Sequence, residues 1–327
     1  MNLSMEQPVS NRRPPLLARI RDRITGMEWY DQVVFRKRVL FESDRSVIER
    51  DFRARFGRSP DLDQPQTFNE KLLWLSLNYR LPLYSTLADK YEVRAYVRDR
   101  VGDAYLNTLL GVYERVEEIR WDALPDAFAL KATHGSKWNV ICPDRCKLDR
   151  KQAEYDLARW LRHNFYWYGR EWIYRDLKPR IVAEAFLDDG GKPPPDFKIF
   201  CFDGEPRLIQ VDADRFEEHT RNFFSPDWTL LPARMIYPPI PRPVPRPANL
   251  DDMVRVARAL ARGMPFVRVD LYDVGGRVVF GEMSFYPERG MGPFDDPLFN
   301  REVGSWIRLP APHPDRGWWS RQHAVWG

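Results

Sequence analysis

Two short runs of strand-forming residues, joined by a pair of glycines, constrain this chain more than any other feature. The runs are residues 268–272 and 280–284, and residues 275–276 between them are both glycine. Because glycine tolerates positive φ and both runs alternate apolar with polar side chains, the pattern predicts a β-hairpin. Each run contains one carboxylate, Asp270 in the first and Glu282 in the second.

The length of the turn decides whether these two carboxylates share a face of the hairpin. A three-residue loop formed by residues 275–277 brings them together, whereas a two-residue Gly-Gly turn places them on opposite faces. With the longer loop, the facing pairs are Asp270–Glu282, Arg268–Ser284 and Tyr272–Phe280. The other face is then apolar and suited to burial. We therefore expect the three-residue loop and one chemically active face.

Two facing carboxylates repel each other unless a cation or a proton lies between them. Their hard oxygen atoms suit Mg²⁺, which also bridges substrate phosphates. The hairpin therefore predicts a magnesium site formed by Asp270 and Glu282, to which Ser284 can add one oxygen. The alternative is an exposed hairpin whose acidic side chains are merely solvated.

Size and composition exclude several classes of protein. The 327 residues are enough for two or three lobes with a substantial core. A net charge of +4 is too small for a general nucleic-acid binder. The three cysteines and five histidines show no zinc-ligand spacing, so we expect reduced, structural thiols. No apolar run approaches the roughly 20 residues of a membrane span and no signal peptide is recognisable, which predicts a cytoplasmic protein.

The first forty residues are rich in arginine and interleave these charges with apolar side chains. One interpretation is peripheral contact with an anionic membrane surface. The other, which we favour, is a solvated helix that packs on the main body.

Local patterns predict much of the remaining secondary structure. Thr67 and Glu70 have the spacing of a helix capping box. Asp203 and Gly204 separate two strand-like runs and predict a second hairpin. The expected strands cover residues 128–132, 140–142, 181–187, 197–202 and 207–211, and the expected helices cover about residues 87–99, 151–174 and 250–262.

Two further stretches suit a bound nucleotide. Lys131 ends a strand beside a loop with glycine and serine, where an ammonium and backbone N–H groups can hold phosphate oxygens. The strand that reaches residues 184–187 offers an apolar edge with free backbone groups, a suitable hinge for adenine. A solvated lysine and a plain core strand are the simpler alternatives.

Taken together, these stretches resemble the ATP-grasp superfamily, and more closely its branch of TupA-like proteins, which is linked to bacterial cell-surface polysaccharide (teichuronopeptide) synthesis. The resemblance covers about residues 65–310. The matching stretches are residues 67–71, 89–94, 130–139, 168–172, 196–204, 221–223, 266–270 and 280–287.

This resemblance implies an α+β fold in which two α+β lobes hold ATP between them, with a helical N-terminal extension. It also implies ADP-forming ligation, in which a substrate carboxylate takes the γ-phosphoryl group and an amine then displaces phosphate. The implied domains are a helical, arginine-rich extension (1–64), a helical and αβ segment (65–125), a small lobe with the phosphate loop and adenine hinge (126–190) and a large lobe with the metal-binding hairpin (191–327).

The resemblance also implies roles for individual residues. Those implied to contact ATP are Arg94 and Lys131, the phosphate loop His134, Gly135 and Ser136, and the adenine hinge Glu184, Ala185, Phe186 and Leu187. Those implied to hold Mg²⁺ are Asp270, Glu282 and Ser284. Arg268 is implied to stabilise the tetrahedral intermediate, and Lys198 to reach the phosphates or the substrate carboxylate.

Two departures from the family pattern affect this site. Many superfamily members have asparagine two residues after the second carboxylate, where this chain has Ser284, so the number of metal ions stays open. Lys137 and Trp138 occupy a loop in which glycines would be expected to let a lid close over phosphate.

Other functions compete with ligation. Asp212 and Asp214 have the Asp-x-Asp spacing that holds a metal against a sugar nucleotide in glycosyltransferases. A nucleotide-binding protein without turnover is a third alternative. Nearby, His219, Arg221 and Asn222 form a polar cluster that can bind a carboxylate or sugar hydroxyls, or can simply bond the backbone.

Overall fold

The computed structural model describes residues 42–190, 194–213 and 218–313. The chain divides into two compact units, residues 1–46 and residues 47–327. The described part of the second unit contains both β-sheets and every site discussed below. The arginine-rich segment, for which membrane contact is one interpretation, lies outside the described residues.

Eight α-helices occur in the described ranges. They are α1 (Asp44–Phe56), α2 (Phe68–Asn78), α3 (Pro82–Ala88), α4 (Val93–Val101), α5 (Arg150–Arg162), α6 (Tyr166–Gly169), α7 (Leu250–Ala261) and α8 (Pro297–Ser305). None of these described helices combines the length and apolar character needed to cross a bilayer.

Ten β-strands accompany these helices. They are β1 (Leu109–Tyr113), β2 (Phe128–Ala132), β3 (Asn139–Cys142), β4 (Ile181–Ala185), β5 (Asp196–Phe202), β6 (Glu205–Ala213), β7 (Thr220–Phe224), β8 (Leu230–Leu231), β9 (Phe266–Val274) and β10 (Arg277–Ser284). The mixture of helices with two antiparallel sheets confirms the predicted α+β class.

The smaller sheet has the antiparallel strand order β1-β4-β2-β3. Side chains of β2 and β4 are almost fully buried, and helix α5 packs on the same core through Ala153, Leu157 and Trp160. Strand β4 is therefore an interior strand, with a neighbour on each side.

The larger sheet has the antiparallel order β10-β9-β5-β6-β7-β8. Helix α7 packs across β5, β6 and β9. Its fully buried residues Met253, Val256 and Leu260 meet the apolar side of the sheet, where Val269 and Leu271 are equally inaccessible. This layer of helix on sheet is the main core of the protein.

Two predicted helical stretches are interrupted. The stretch 151–174 forms α5, which ends at Arg162, and α6, which begins at Tyr166. In place of a helix over about residues 87–99, α3 ends at Ala88 and α4 begins at Val93. The Asp89 carboxylate accepts hydrogen bonds from the backbone N–H groups of Tyr91 and Glu92, at 2.8 and 3.0 Å. Such local side-chain bonds compete with helix continuation, so Asp89 separates the two helices.

The capping box at the start of α2 is confirmed. Thr67 accepts from the Glu70 N–H, and the Glu70 carboxylate accepts from the Thr67 N–H at 3.1 Å. Arg58 and the Asp61 N–H also donate to Glu70. Burial opposes ionisation of Glu70, but these donors outweigh it and lower its pKa to about 2.

The Glu70 carboxylate should stabilise the fold in a pH-dependent manner. Because its pKa is lower in the folded chain than the ordinary 4.5, its contribution is complete above pH 4.5 and declines as the pH falls toward 2. We expect Glu70→Gln to lower the free energy of unfolding by about 1–2 kcal/mol at pH 7, the typical range for a lost cap. Urea unfolding from pH 7 to 3 measures this difference.

The exposed Glu117→Gln is the matched control for that measurement and should change the unfolding free energy little at any pH. A Glu70→Gln difference that stayed constant between pH 7 and 3 would contradict the assignment.

Candidate functional site

The face of the larger sheet opposite α7 carries charged and polar side chains. Because successive side chains of a strand point to opposite faces, burying one set under α7 directs the other set to this second face. The residues of this polar face are Asp196, Lys198, Gln210, Asp212, Arg221, Arg268, Asp270, Glu282 and Ser284. Five neighbouring strands, β10, β9, β5, β6 and β7, contribute to it.

The turn of the β9–β10 hairpin differs from the prediction. Arg277 pairs with Val274, so the connection is a two-residue Gly275–Gly276 turn and not a three-residue loop. Both glycines have positive φ, 57° and 81°, as a type I′ hairpin turn requires. The predicted partner of Tyr272 was also wrong, because Tyr272 pairs with Val279.

A β-bulge nevertheless brings the two carboxylates together. The register shifts between Phe280 and Glu282, so that Glu282 pairs with Asp270 and Ser284 with Arg268, as predicted. The extra residue is Gly281. A Cβ atom there would lie 2.9 Å from the Tyr272 ring and 3.0 Å from the Asp270 carbonyl oxygen, so the bulge requires glycine.

Arg268 and Asp270 form a buried, bidentate ion pair. The Arg268 Nε and Nη2 atoms donate to the two Asp270 oxygens, each at 2.7 Å. Nη2 also donates to Ser284 Oγ at 3.1 Å and lies 3.6 Å from Glu282 Oε1. The guanidinium thus contacts all three residues that were predicted to hold Mg²⁺.

Lys198 connects Asp270 to the next strands. Its Nζ lies 3.7 Å from Asp270 Oδ2 and 3.8 Å from Asp212 Oδ2, and it donates to Asp196 on its own strand. Burial and the carboxylates of Asp196 and Glu282 raise the pKa of Asp270 to about 6, although Arg268 and Lys198 act in the opposite direction. Asp270 is therefore still ionised at neutral pH.

Glu282 has a cation near each of its two carboxylate oxygens. Burial acts to raise its pKa, but the cations Lys90, Arg268 and Lys198 lower it. Lys90 Nζ lies 3.7 Å from Glu282 Oε2 and donates to the Gly135 carbonyl oxygen at 2.7 Å. Lys90 therefore joins the predicted phosphate loop to the carboxylate hairpin.

The oxygen donors of the hairpin suit a metal ion whose remaining ligands come from a nucleotide and water. Across the part of the chain that the structure describes, no three His, Cys, Asp or Glu side chains cluster as a metal cage. Asp270 and Glu282 offer carboxylates, and Ser284 Oγ lies 3.4 Å from Glu282 Oε1. Mg²⁺ is commonly held by one or two carboxylates, with water and phosphate as its other ligands, so these residues fit it.

The two predicted phosphate-binding cations are joined by a carboxylate. Lys131 Nζ donates to Glu184 Oε2 at 2.8 Å, and Arg94 Nη1 donates to Glu184 Oε1 at 3.2 Å. Arg94 also donates to the Asn107 carbonyl oxygen at 2.7 Å. The structure thus brings Arg94, Lys131 and Glu184 together, with the Glu184 side chain as the partner of both cations.

The predicted phosphate loop is only partly directed at the site. His134 is buried, with its Nε2 atom 3.0 Å from the Trp160 carbonyl oxygen, and burial lowers its pKa. A Cβ at Gly135 would lie 2.5 Å from the Trp138 ring, so that ring covers the loop closely. Lys137 has a left-handed backbone with φ 63°. Ser136 is half-buried between them.

The predicted adenine hinge has less free backbone than expected. The Ala185 N–H donates to the Thr108 carbonyl oxygen at 2.9 Å, and the Ala185 carbonyl oxygen accepts from Asn107 Nδ2 at 2.8 Å. Strand β4 pairs with β1 and β2, and the expectation of free backbone groups in the hinge was therefore wrong at Ala185. Phe186 and Leu187 follow the end of this strand and are half-buried.

Sequence reasoning overlooked two residues of the site. Lys90 lies in the stretch 89–94, which resembles the family pattern, so the sequence offered a signal for this residue. Glu171 lies in the matching stretch 168–172, and burial, together with nearby Glu282, raises its pKa to about 8 against the opposing effect of Arg289. Its carboxyl group is therefore mostly protonated at neutral pH, which no local pattern would indicate.

The Asp-x-Asp motif finds no support at Asp212. Its Oδ1 accepts from Arg221 Nε at 2.6 Å and its Oδ2 accepts from Gln210 at 2.9 Å. Asp214 lies outside the described residues. The side chain of Asp212 thus organises the polar face through protein contacts.

Comparison with known proteins identifies one matching family model, described as TupA-like ATP-grasp, over residues 70–308. No curated protein matches the chain. An ADP complex of purK, N5-carboxyaminoimidazole ribonucleotide synthetase, shows 12% identity, 66% coverage of this chain, 50% coverage of that chain and a TM-score of 0.39.

Two further solved structures are similar at the same level. The ATP-grasp ligase PsnB with its minimal precursor has 14% identity, 63% and 55% coverage of this chain and that chain, and a TM-score of 0.36. D-alanine–D-alanine ligase from Bacillus anthracis with ATP has 13% identity, 61% and 54% coverage, and a TM-score of 0.36. The chain spans about half the length of these three structures. Likeness this weak carries no weight beside the family match.

The bulge predicts that substitutions at two glycines of the hairpin change the stability by different amounts. Gly281→Ala should destabilise the protein by about 1–3 kcal/mol, because the added methyl group meets the Asp270 carbonyl oxygen. Gly275→Asn should be nearly neutral, because Asn tolerates the left-handed conformation and nothing lies within 4 Å of its Cβ position. Urea unfolding of both variants measures the difference, and equal stability would contradict the bulge.

Proposed function

The chain belongs to the TupA-like ATP-grasp family, and from that premise we propose that it is an ATP- and Mg²⁺-dependent carboxylate–amine ligase. One observation carries the proposal. A bulged hairpin aligns Asp270 with Glu282 and Arg268 with Ser284 on the polar face of the larger sheet. Lys90 links this hairpin to the loop at Gly135, which follows Lys131 and β2. Acidic metal ligands and phosphate-binding cations are the parts that phosphoryl transfer requires.

ATP would lie between the two sheets, and in this proposal its phosphates contact Lys131, Arg94 and the loop of His134, Gly135 and Ser136. Support comes from the Lys131–Glu184–Arg94 cluster, because it places two cations side by side on one carboxylate. Adenine would pack beside residues 184–187. Since the backbone groups of Ala185 are already bonded, the base would use the residues that follow it.

Asp270 and Glu282, with Ser284, would hold Mg²⁺. The ion supplies positive charge to the phosphates as their negative charge is redistributed. Because only two carboxylates and one hydroxyl converge in the hairpin, one protein-held metal ion is the simpler arrangement.

The remaining residues would act on the substrates. The substrate carboxylate takes the γ-phosphoryl group to form an acyl phosphate, and the amine then attacks its carbonyl carbon and expels phosphate. Lys198 would position the substrate carboxylate, and Arg268 would stabilise the tetrahedral oxyanion through its planar guanidinium. Both side chains are largely buried, so neither requires much reorganisation.

The carboxylate substrate we propose is a precursor of a cell-surface polysaccharide, such as a uronic acid. The family resemblance supports this choice, because such polymers supply carboxylates. A nucleotide-dependent reaction of this kind fits the predicted cytoplasmic location.

The carboxylate hairpin can be tested with isosteric variants. We expect Asp270→Asn and Glu282→Gln to weaken Mg²⁺-ATP binding about tenfold or more, by loss of a charged ligand, and to abolish ADP release with uronic acids and amino acids. Calorimetric titration and a coupled ADP assay measure these effects. Glu302→Gln, an exposed substitution on α8, is the matched control.

Glu282→Gln is the more informative of the two variants because its side chain is 38% exposed and its loss leaves the Arg268–Asp270 pair intact. If both variants bound Mg²⁺-ATP and turned over like the wild type, the proposed function of this hairpin would be wrong.

The ratio of ATP affinities with and without Mg²⁺ should fall as the pH is lowered from 7 to 5. Asp270, with a pKa of about 6, gains a proton over this range, whereas the Glu282 pKa is lowered and its carboxylate stays charged. Because a phosphate of the nucleotide also titrates near this pH, Asp270→Asn provides the background, and its ratio should change less over this range than that of the wild type. A wild-type ratio that did not change down to pH 5 would contradict the role of Asp270.

A further inference from the structure

A carboxyl group without a partner lies between the phosphate loop and the carboxylate hairpin. It belongs to Glu171, which is half-buried and directly precedes a single turn of 3₁₀ helix, Trp172–Tyr174. No described side chain or backbone group forms a hydrogen bond or an ion pair with its carboxyl oxygens. A carboxyl group in such a setting is costly unless a ligand or water completes its hydrogen bonds.

Contacts of the neighbouring residues fix the position of this carboxyl group. On one side, the Tyr174 and Phe165 rings lie 5.0 Å apart, and Phe165 lies 5.1 Å from Trp138, the ring that covers the phosphate loop. On the other side, Trp172 Nε1 donates to the Tyr286 hydroxyl at 3.0 Å, two residues beyond the end of β10. The segment of the carboxyl group thus joins the two halves of the proposed ATP site.

Electrostatic effects agree with this position. Burial raises the pKa of both Glu171 and Tyr174, and the Glu282 carboxylate adds to the effect at each of them. The Arg268 guanidinium acts in the opposite direction on the pKa of Tyr174. Because the interaction between two charges weakens as their separation grows, Glu171 and Tyr174 must lie near the hairpin.

The other carboxylates described at the site already pair with lysine or arginine. The paired carboxylates are those of Glu184, Asp196, Asp212, Asp270 and Glu282. Arg289 lowers the pKa of Glu171, but it forms its own ion pair with Asp51 at 2.8 Å. Among these described carboxyl groups, that of Glu171 is therefore the one that a cationic substrate can approach without displacing a protein cation.

We propose that Glu171 binds the amine substrate as an ammonium ion and takes the proton whose loss converts it to the neutral nucleophile. The inference rests on the proposed ligase function, because it assigns the group that prepares the amine for that reaction. The positive charge of the ammonium favours the ionised form of the carboxyl group. An amine held between the phosphate loop and the hairpin lies near the phosphates, as attack on an acyl phosphate requires.

The protons and electrons of the step balance. The ammonium gives one proton to the Glu171 carboxylate, and the lone pair of the neutral amine forms the C–N bond at the acyl carbon. The C–O bond to phosphate breaks, and its electron pair leaves with the phosphate. The departing phosphate takes the second proton of the amine, so that the products are an amide, hydrogen phosphate and a neutral Glu171.

The environment of Glu171 suits it to this proton transfer. A proton moves readily when the pKa of the acceptor is close to that of the donor. The pKa of Glu171 is raised from 4.5 to about 8, and that of an alkyl ammonium is about 10. Proton transfer from an ammonium to Glu171 therefore costs much less than transfer to an ordinary carboxylate.

A comparison of two nucleophiles in the same reaction tests the proposal. The full chain is incubated at pH 7 with Mg²⁺-ATP, with glucuronate or galacturonate, and with either an amino acid or hydroxylamine. The amino acids are glycine, L-alanine, L-glutamate and L-lysine. Hydroxylamine is uncharged at this pH, so it can attack an acyl phosphate without first losing a proton. Mass spectrometry measures the amide, and the coloured ferric complex measures the hydroxamate.

Substitution of Glu171 should affect the two nucleophiles differently. Glu171→Gln should slow amide formation about 100-fold or more but hydroxamate formation less than about tenfold, because a positioned base typically contributes 100-fold or more. Glu171→Asp keeps a carboxyl group and should recover part of the amide formation. Asp176→Asn, an exposed substitution on the same segment, is the control and should leave both rates unchanged.

Folding is measured separately. Glutamine closely mimics the protonated form of Glu171, so Glu171→Gln should keep the Tm and the Mg²⁺-ATP affinity of the wild type. If this variant lost amide and hydroxamate formation equally, Glu171 would have only a structural role and the inference would be wrong. Amide formation at the wild-type rate in Glu171→Gln would overturn it too.

The wild-type protein alone distinguishes this inference from the proposed function. If it forms hydroxamate but no amide with any of the amino acids, the inference fails and the ligase proposal stands. If it forms neither product from these uronic acids, the ligase proposal fails and the inference fails with it.

Discussion

The alternation of side chains along the larger sheet is the constraint on which the rest of the structure depends. Each apolar residue that β9 places under α7 is the direct neighbour in sequence of a charged residue on the opposite face. Val269, for example, lies between Arg268 and Asp270. The hydrophobic core and the candidate site are therefore two sides of one sheet. A shift of one residue in the register would exchange them.

The charges on the polar face persist in a largely buried setting because they neutralise one another. Arg268 satisfies both Asp270 oxygens, Lys198 lies among three carboxylates, and Arg221 holds Asp212. Removing one partner of such a group leaves an uncompensated buried charge, which is far more destabilising than the pair is stabilising. The polar face therefore behaves as a single network. The proposed ligase function would use these preorganised groups to stabilise charge during group transfer.

The sequence predicted the facing carboxylates of the hairpin correctly but not its turn. Facing carboxylates followed from the pattern, but the turn was assigned one residue too many, and the bulge at Gly281 supplied the missing shift. An isolated glycine inside a strand pattern is itself a bulge signal, so that correction was available. The interior position of β4 could not be predicted from a local pattern, because strand order depends on pairing between distant segments. The partners of Lys131 and Arg94 were hidden for the same reason, since Glu184 lies more than fifty residues further along the chain.

The carboxylate of Glu184 has a consequence for discrimination among anions. Lys131 and Arg94 are already compensated, so an approaching anion must exchange with a carboxylate that is covalently fixed between them. A weakly charged anion such as chloride gains little from this exchange, whereas a polyphosphate gains more with each charge it brings. Glu184 thus lowers the affinity of the two cations for small monovalent anions. Their attraction is available chiefly to ligands of high charge density.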